Sequence, residues 1–313
     1  MKTEEKVHEL FLNYACTAKC PFCYNPPITP ELLRLDLTFE QAAESLYKGA
    51  GSGARMLNLH GGEVTLRDDL PKLLRLARKL GFTQITVVTN GVKLGSRAYA
   101  RGLAAAGATH FRLSIHAPEA ALHDAILALP GAFDKAVAAL GHLEAEGIPF
   151  GLNFVLSRDN LAVLPAFLER FVVRGGVGDV IVYFPHLRGM MALNAARIGL
   201  SYEEAAVAVR EGFLLLEKAG RRDAVLLANF LPCVLPELTD RMLDWSKHGE
   251  TASMTHPEGF TQDIHEIKDG QRLPVKACRS CAVGARCLGV EREYIAARGE
   301  SEFNAMDSCA VER

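Results

Sequence analysis

The chain has no apolar run approaching the roughly 18 residues that a membrane-spanning helix needs. Its opening residues, Met1-Lys2-Thr3-Glu4-Glu5-Lys6, are charged and lack the apolar stretch of a secretion signal. Both absences point to a soluble, cytoplasmic protein with no membrane partner. An excess of charge of one sign is also missing: 35 Lys and Arg against 37 Asp and Glu leave −2. No global field then recruits nucleic acid or an anionic membrane, and an RNA substrate is disfavoured. Beyond a βα rhythm there is no internal repeat and no low-complexity tract.

What is present is enough apolar residue, 49% of 313, for one large domain or a domain with an appendix. Between about residues 7 and 184, short apolar runs alternate with helical patterns. Strands are expected at 7–12, 55–59, 85–89, 110–115, 150–156 and 179–184. Thr38, with Gln41 three residues on, reads as a capping box opening the first helix. Leu70, Leu73, Leu74, Ala77 and Leu80 recur at helical spacing. Further helices are expected at 96–106, 133–146, 164–174 and 202–219. Six strands that are apolar throughout, separated by helices, imply an α/β fold with a parallel sheet. Six units fit a partial (β/α)6 TIM-type barrel better than a full one, with its site at the C-terminal ends of the strands. After residue 219 prolines and glycines break the rhythm. The expected division is a core over 1–219 and a smaller cysteine-bearing appendix over 220–313.

The eight cysteines are Cys16, Cys20, Cys23, Cys233, Cys278, Cys281, Cys287 and Cys309. In a large chain without a secretion signal, close spacing favours metal binding over disulfides. Cys16-x3-Cys20-x2-Cys23 follows the first strand. Three thiolates in one tight loop can hold three irons of a [4Fe-4S] cluster and leave the fourth open to a ligand. A half-built zinc site is the alternative for the loop taken alone.

Together with Phe22 before the last cysteine, this loop resembles the signature of radical S-adenosylmethionine (radical SAM) enzymes. Downstream segments match in order: His60-Gly61-Gly62-Glu63, Thr89-Asn90-Gly91, Leu113-Ser114-Ile115-His116 and Asn153, across residues 7–190. Val64 departs from the proline often found after the glutamate. The resemblance implies that the open iron takes the amine and carboxylate of SAM. Gly61 and Gly62 would let backbone approach the ligand, and Glu63 would accept from the ammonium group. Ser114 and Asn153 would meet ribose hydroxyls or the carboxylate. Phe22 and the sixth strand would pack on adenine. His60 and His116 are open between a substrate contact and a histidine satisfied in the barrel mouth. The implied chemistry is reductive cleavage of SAM to a 5′-deoxyadenosyl radical that takes hydrogen from substrate, with a flavodoxin- or ferredoxin-type reductant.

Cys278-x2-Cys281-x5-Cys287 resembles the C-terminal SPASM or shortened twitch extensions that carry an auxiliary [4Fe-4S] cluster. The full pattern continues to a cysteine where this chain has Glu291, so the shortened form is expected. Cys233 is the choice for the fourth ligand and Cys309 the rival. A four-cysteine zinc site, or a three-cysteine site open to substrate, is the alternative. Arg272, Lys276, Arg279 and Arg286 read as solvated surface charge. The implied function is maturation of a ribosomal peptide or other natural product. A small-molecule dehydrogenase or rearrangement enzyme is the alternative, and an iron–sulfur carrier without SAM chemistry is more remote. Only fifteen residues precede Cys16, too few for a leader-recognition domain, so a peptide substrate would need a separate recognition partner or none.

Overall fold

The computed structural model describes residues 6–243, 245–246 and 252–307, and Cys309 lies outside them. The six expected strands form: β1 (Val7–Phe11), β2 (Met56–His60), β3 (Gln84–Thr89), β4 (His110–Ser114), β5 (Phe150–Val155) and β6 (Val180–Tyr183). They pair side by side in chain order, all parallel. The partial-barrel expectation holds.

The sheet does not stop at six strands. β7 (Val225–Ala228) adds to β6 in parallel. β8 (Ala252–Thr255) adds to the other side of β1 in parallel, and β9 (Thr261–Asp263) turns back against β8. The order is β7-β6-β5-β4-β3-β2-β1-β8-β9. The chain after residue 219 thus returns to the sheet at both edges. These extra strands are short, and Ala252–Thr255 has no apolar run to announce it. A second, two-stranded sheet pairs β10 (Arg272–Leu273) with β11 (Val290–Glu291).

Register partners in a parallel sheet share a face. On one face, Leu10, Leu57, Leu59, Ile85, Val87, Phe111, Leu113, Leu152 and Phe154 are wholly buried. The helices cover this face. The helix Phe39–Gly51 opens on the expected capping box, in which Thr38 Oγ1 accepts from the Gln41 N–H and Gln41 Oε1 from the Thr38 N–H. The helix Leu70–Lys79 buries Leu70, Leu73, Leu74 and Ala77 completely. The opposite face turns into the barrel and is polar: Glu9 beside Asn58, then His60, Arg112, and Ser114 beside Asn153. Among the described residues no single helix is long and apolar enough to cross a membrane.

Candidate functional site

The cysteine loop leaves β1 and is pinned along its length by the residues that follow β2 and β3 and by the ends of two helices. The Asn13 carbonyl accepts from the Gly62 N–H at 2.5 Å and that of Ala15 from the Glu63 N–H at 2.8 Å. Thr17 Oγ1 accepts from Asn90 Nδ2 at 3.0 Å. The Lys19 N–H donates to the Leu127 carbonyl at 2.8 Å. The carbonyls of Cys23 and Asn25 accept from the N–H groups of Met191 and Met190 at 3.0 and 2.9 Å. Those donors open the helix Gly189–Ile198. Its first-turn N–H groups lack partners within the helix, and its positive end faces the loop, which favours thiolate charge there.

The three thiols resist ionisation without a cation. Burial pushes Cys16 up to about 11, and Glu63 and Cys23 add to the effect. Burial raises Cys20 further, with Cys23 and Cys16 reinforcing it, and it raises Cys23 as well. Three thiolates in this loop therefore require bound positive charge.

Glu63 is engaged by protein donors on both of its oxygens. It is 2% exposed. Its Oε1 accepts from the Thr65 N–H and hydroxyl at 3.1 and 2.6 Å and from the Thr89 hydroxyl at 2.7 Å. Its Oε2 accepts from the Asn90 N–H at 2.7 Å. The carboxylate thus ties the ends of β2 and β3 together, and Asn90 carries the tie to Thr17 in the cysteine loop. Gly61 and Gly62 admit a close approach of backbone. A Cβ on Gly61 would stand 2.5 Å from the Asn13 carbonyl, and one on Gly62 would run into those of Tyr14 and Ala15.

Phe22 is buried, with its ring edge-on to His116 at 4.7 Å between centroids. That contact anchors the loop to the barrel. His116 Nδ1 accepts from the Val155 N–H, and the backbone N–H of His116 donates to His123 Nδ1. His60 lies in the barrel between Glu9 and the hydroxyl of Tyr24, and burial lowers it to about 4, with His256 and His8 adding.

Ser114 and Asn153 are register partners on β4 and β5. Asn153 Oδ1 is buried with no hydrogen-bond partner. A buried orphan acceptor is unfavourable by about 1–3 kcal/mol, and it stands where a bound donor such as a ribose hydroxyl would satisfy it. Together with the thiol loop, it shows that the residues fit SAM and a cluster.

The second cysteine group also comes together. Cys233, just past β7, lines one cavity with Cys278, Cys281 and Cys287. Burial pushes Cys233 up to about 12, and the other three cysteines reinforce the shift. Among the described residues no three His, Cys, Asp or Glu side chains are placed to hold a single metal ion.

Sequence reasoning missed one group. Arg272, expected on the surface, is 5% exposed and donates to Asn229 Oδ1 at 3.2 Å. Glu291, in the slot of the missing cysteine, is buried against His186 Nδ1. Burial opposes its charge, yet His186, Arg272 and Arg188 hold its carboxyl below the ordinary range. Four segments far apart in sequence meet here, and no local spacing signals it.

A model of the radical SAM superfamily matches residues 11–170, and the chain belongs to that superfamily. Membership brings with it SAM and a [4Fe-4S] cluster. Curated relatives include the PqqA peptide cyclase of Ruegeria pomeroyi, 29% identical over 221 residues, which are 71% of this chain and 57% of that protein. The PqqA peptide cyclase of Granulibacter bethesdensis is 32% identical over 159 residues, 50% of this chain and 41% of that one. The chain thus spans about half the length of these relatives. The fold resembles that of Streptococcus suis SuiB bound to S-adenosylmethionine, with TM-score 0.67 at 15% identity over 97% of this chain and 76% of that one. It also resembles anSMEcpe with bound AdoMet and Kp18Cys peptide, with TM-score 0.67 at 14% identity over 98% and 95%.

Proposed function

We propose that the chain is a radical SAM enzyme that modifies a peptide and carries a second, auxiliary [4Fe-4S] cluster on Cys233, Cys278, Cys281 and Cys287. The observation that carries the reading is the convergence of Cys233 with three cysteines some 45 or more residues away in sequence, in one cavity beside the C-terminal end of β7. The named activity of the two cyclases, and the peptide bound by the similar anSMEcpe structure, support a peptide substrate.

In this reading Cys16, Cys20 and Cys23 hold the SAM-binding cluster. Asn153 and Ser114 position SAM from the strand ends, and Glu63 fixes the loop that carries the cysteines. When bound, the cluster supplies an electron that splits SAM to a 5′-deoxyadenosyl radical able to take hydrogen from the peptide. The polar barrel wall (Asn58, His60) offers hydrogen-bonding groups to a peptide backbone. A flavodoxin- or ferredoxin-type protein supplies the electron.

The test incubates anaerobically reconstituted protein with SAM, a strong reductant and peptides encoded by neighbouring genes. The expected result is 5′-deoxyadenosine with loss of a hydrogen pair from one peptide. Deuterium uptake without mass loss would instead indicate epimerisation. Protein that neither binds SAM nor forms 5′-deoxyadenosine would sink the reading.

A further inference from the structure

The two cysteine sites are joined by one short stretch of chain, residues 186–191, in the loop that follows β6. At its far end the N–H groups of Met190 and Met191 hold the carbonyls of Asn25 and Cys23. Gly189, at φ 55°, lets it lie flat there, because a Cβ would collide with the carbonyls of Tyr24 and Asn25. At its near end His186 is bound to Glu291 on β11, four residues after Cys287. Between them Arg188 pairs with Glu293 at 3.0 Å.

The near end is held in one tautomer. Arg272 can only donate, so its 3.2 Å contact makes the Asn229 atom facing it the amide oxygen. Asn229 Nδ2 then donates to the Phe184 carbonyl at 3.1 Å and to His186 Nε2 at 2.9 Å. That leaves the imidazole proton on Nδ1, aimed at the Glu291 carboxylate. His186 is thus gripped from both sides, by β11 of the auxiliary region and by Asn229 just past β7.

Resting on the two-cluster reading above, we propose that residues 186–191 form a strap through which the auxiliary site holds the Cys23 end of the SAM-binding loop in place, with His186 as the positioning residue. Glu291 then stands in the slot of the absent cysteine as the anchor of the strap and not as a cluster ligand. Occupancy of the auxiliary site strengthens SAM binding through this strap, and SAM strengthens the auxiliary site in return, because such coupling is reciprocal.

The test is a double-mutant cycle on the full chain. Reconstituted, dithionite-reduced protein is titrated with SAM, and the change in the electron paramagnetic resonance of the N-terminal cluster is followed. The four proteins are the native chain, His186→Ala, Cys278→Ala/Cys281→Ala, and all three substitutions together. His186→Ala should keep the native iron content and bind SAM about fivefold or more weakly. The cysteine pair should weaken SAM similarly, and the combination should be no weaker than either alone. Native SAM affinity in His186→Ala, or effects that multiply, overturns the strap. Glu291→Gln should also keep its iron, and loss of half of it would make Glu291 a ligand and overturn the anchor. A second measurement needs neither cluster nor SAM: amide hydrogen exchange at Met190 and Met191 should quicken in apo His186→Ala. Unchanged exchange overturns the strap, even where a native chain that loads iron but ignores SAM has refuted the reading of the site.

Discussion

Ser114 and Asn153 stand side by side in the barrel wall, and Asn153 Oδ1 is buried there with nothing to accept from. The arrangement separates binding from stability. Asn153→Leu keeps the size of the side chain and removes the orphan acceptor. The ligand-free protein should therefore be as stable as the native one, or more stable by up to about 1 kcal/mol. SAM should bind roughly tenfold more weakly, since one hydrogen bond is worth about 1–1.5 kcal/mol. Urea melts of the apo protein and a SAM titration of the reconstituted one check both halves. A variant that loses stability and keeps its SAM affinity would make Asn153 a structural residue.

Glu63 has the opposite profile. Its carboxylate collects the N–H and hydroxyl of Thr65, the hydroxyl of Thr89 and the N–H of Asn90. Glu63→Gln presents an amide group to donors and breaks at least one of these bonds inside a buried site. A loss of about 2–3 kcal/mol in the urea melt is expected. The cysteine loop should loosen with it, because Asn90 also holds Thr17. Iron incorporation at the N-terminal site should fall alongside. Native stability in this variant would show that the four donors find other partners.

How much of this was legible depended on distance along the chain. The cysteine loop, the Gly61-Gly62-Glu63 segment and six strands were readable because each is a local pattern in one stretch of sequence. The grouping of Cys233 with Cys278 followed from a family resemblance, since no spacing rule joins residues so far apart. The neighbours of Gly61, Gly62 and Glu63, Asn13 to Ala15 and Thr89 to Asn90, could not be read because strand pairing sets them. Arg272 looked like surface charge among other basic residues. Only the folding of β10 onto β11 places it opposite Glu291 and buries it. The strands β7 to β9 were missed because none exceeds four residues; β8 and β9 are also partly polar, and so short a run carries little periodic signal.

Acid should destabilise the fold well before carboxylates protonate. His8, His116 and His123 are almost wholly inaccessible. Burial lowers His8 and His123 to about 4, and it lowers His116 well below its ordinary value with His123 adding to the effect. In the unfolded chain these rings take up protons around their ordinary value of 6.5. Between the two values the unfolded state binds more protons, so stability rises with pH there. It is fully present above about 6.5 and lost as pH falls towards 4. His60, lowered by burial to about 4 as well, makes four such groups, which imply a loss of about 5 kcal/mol between pH 7 and pH 5.5. Urea melts across that range check it, and His123→Gln should remove about a quarter of the slope. A flat profile would mean that these rings take up protons in the folded state too.

The identity of the fourth auxiliary ligand can be read from iron alone. Reconstituted native protein should hold about eight irons, four in each cluster. Cys233 shares its cavity with Cys278, Cys281 and Cys287, and burial with three neighbouring thiols raises it. A thiol so placed ionises readily only against a cation, which is the condition for a cluster ligand. Cys233→Ala should therefore lose up to half of the iron, with sulfide falling in step, while Cys309→Ala keeps the native content. Both variants should still cleave SAM, because Cys16, Cys20 and Cys23 are untouched. Native iron in Cys233→Ala and loss in Cys309→Ala would move the ligand to the C-terminal end of the chain. One equivalent of zinc in place of the lost iron would replace the auxiliary cluster by a four-cysteine zinc site.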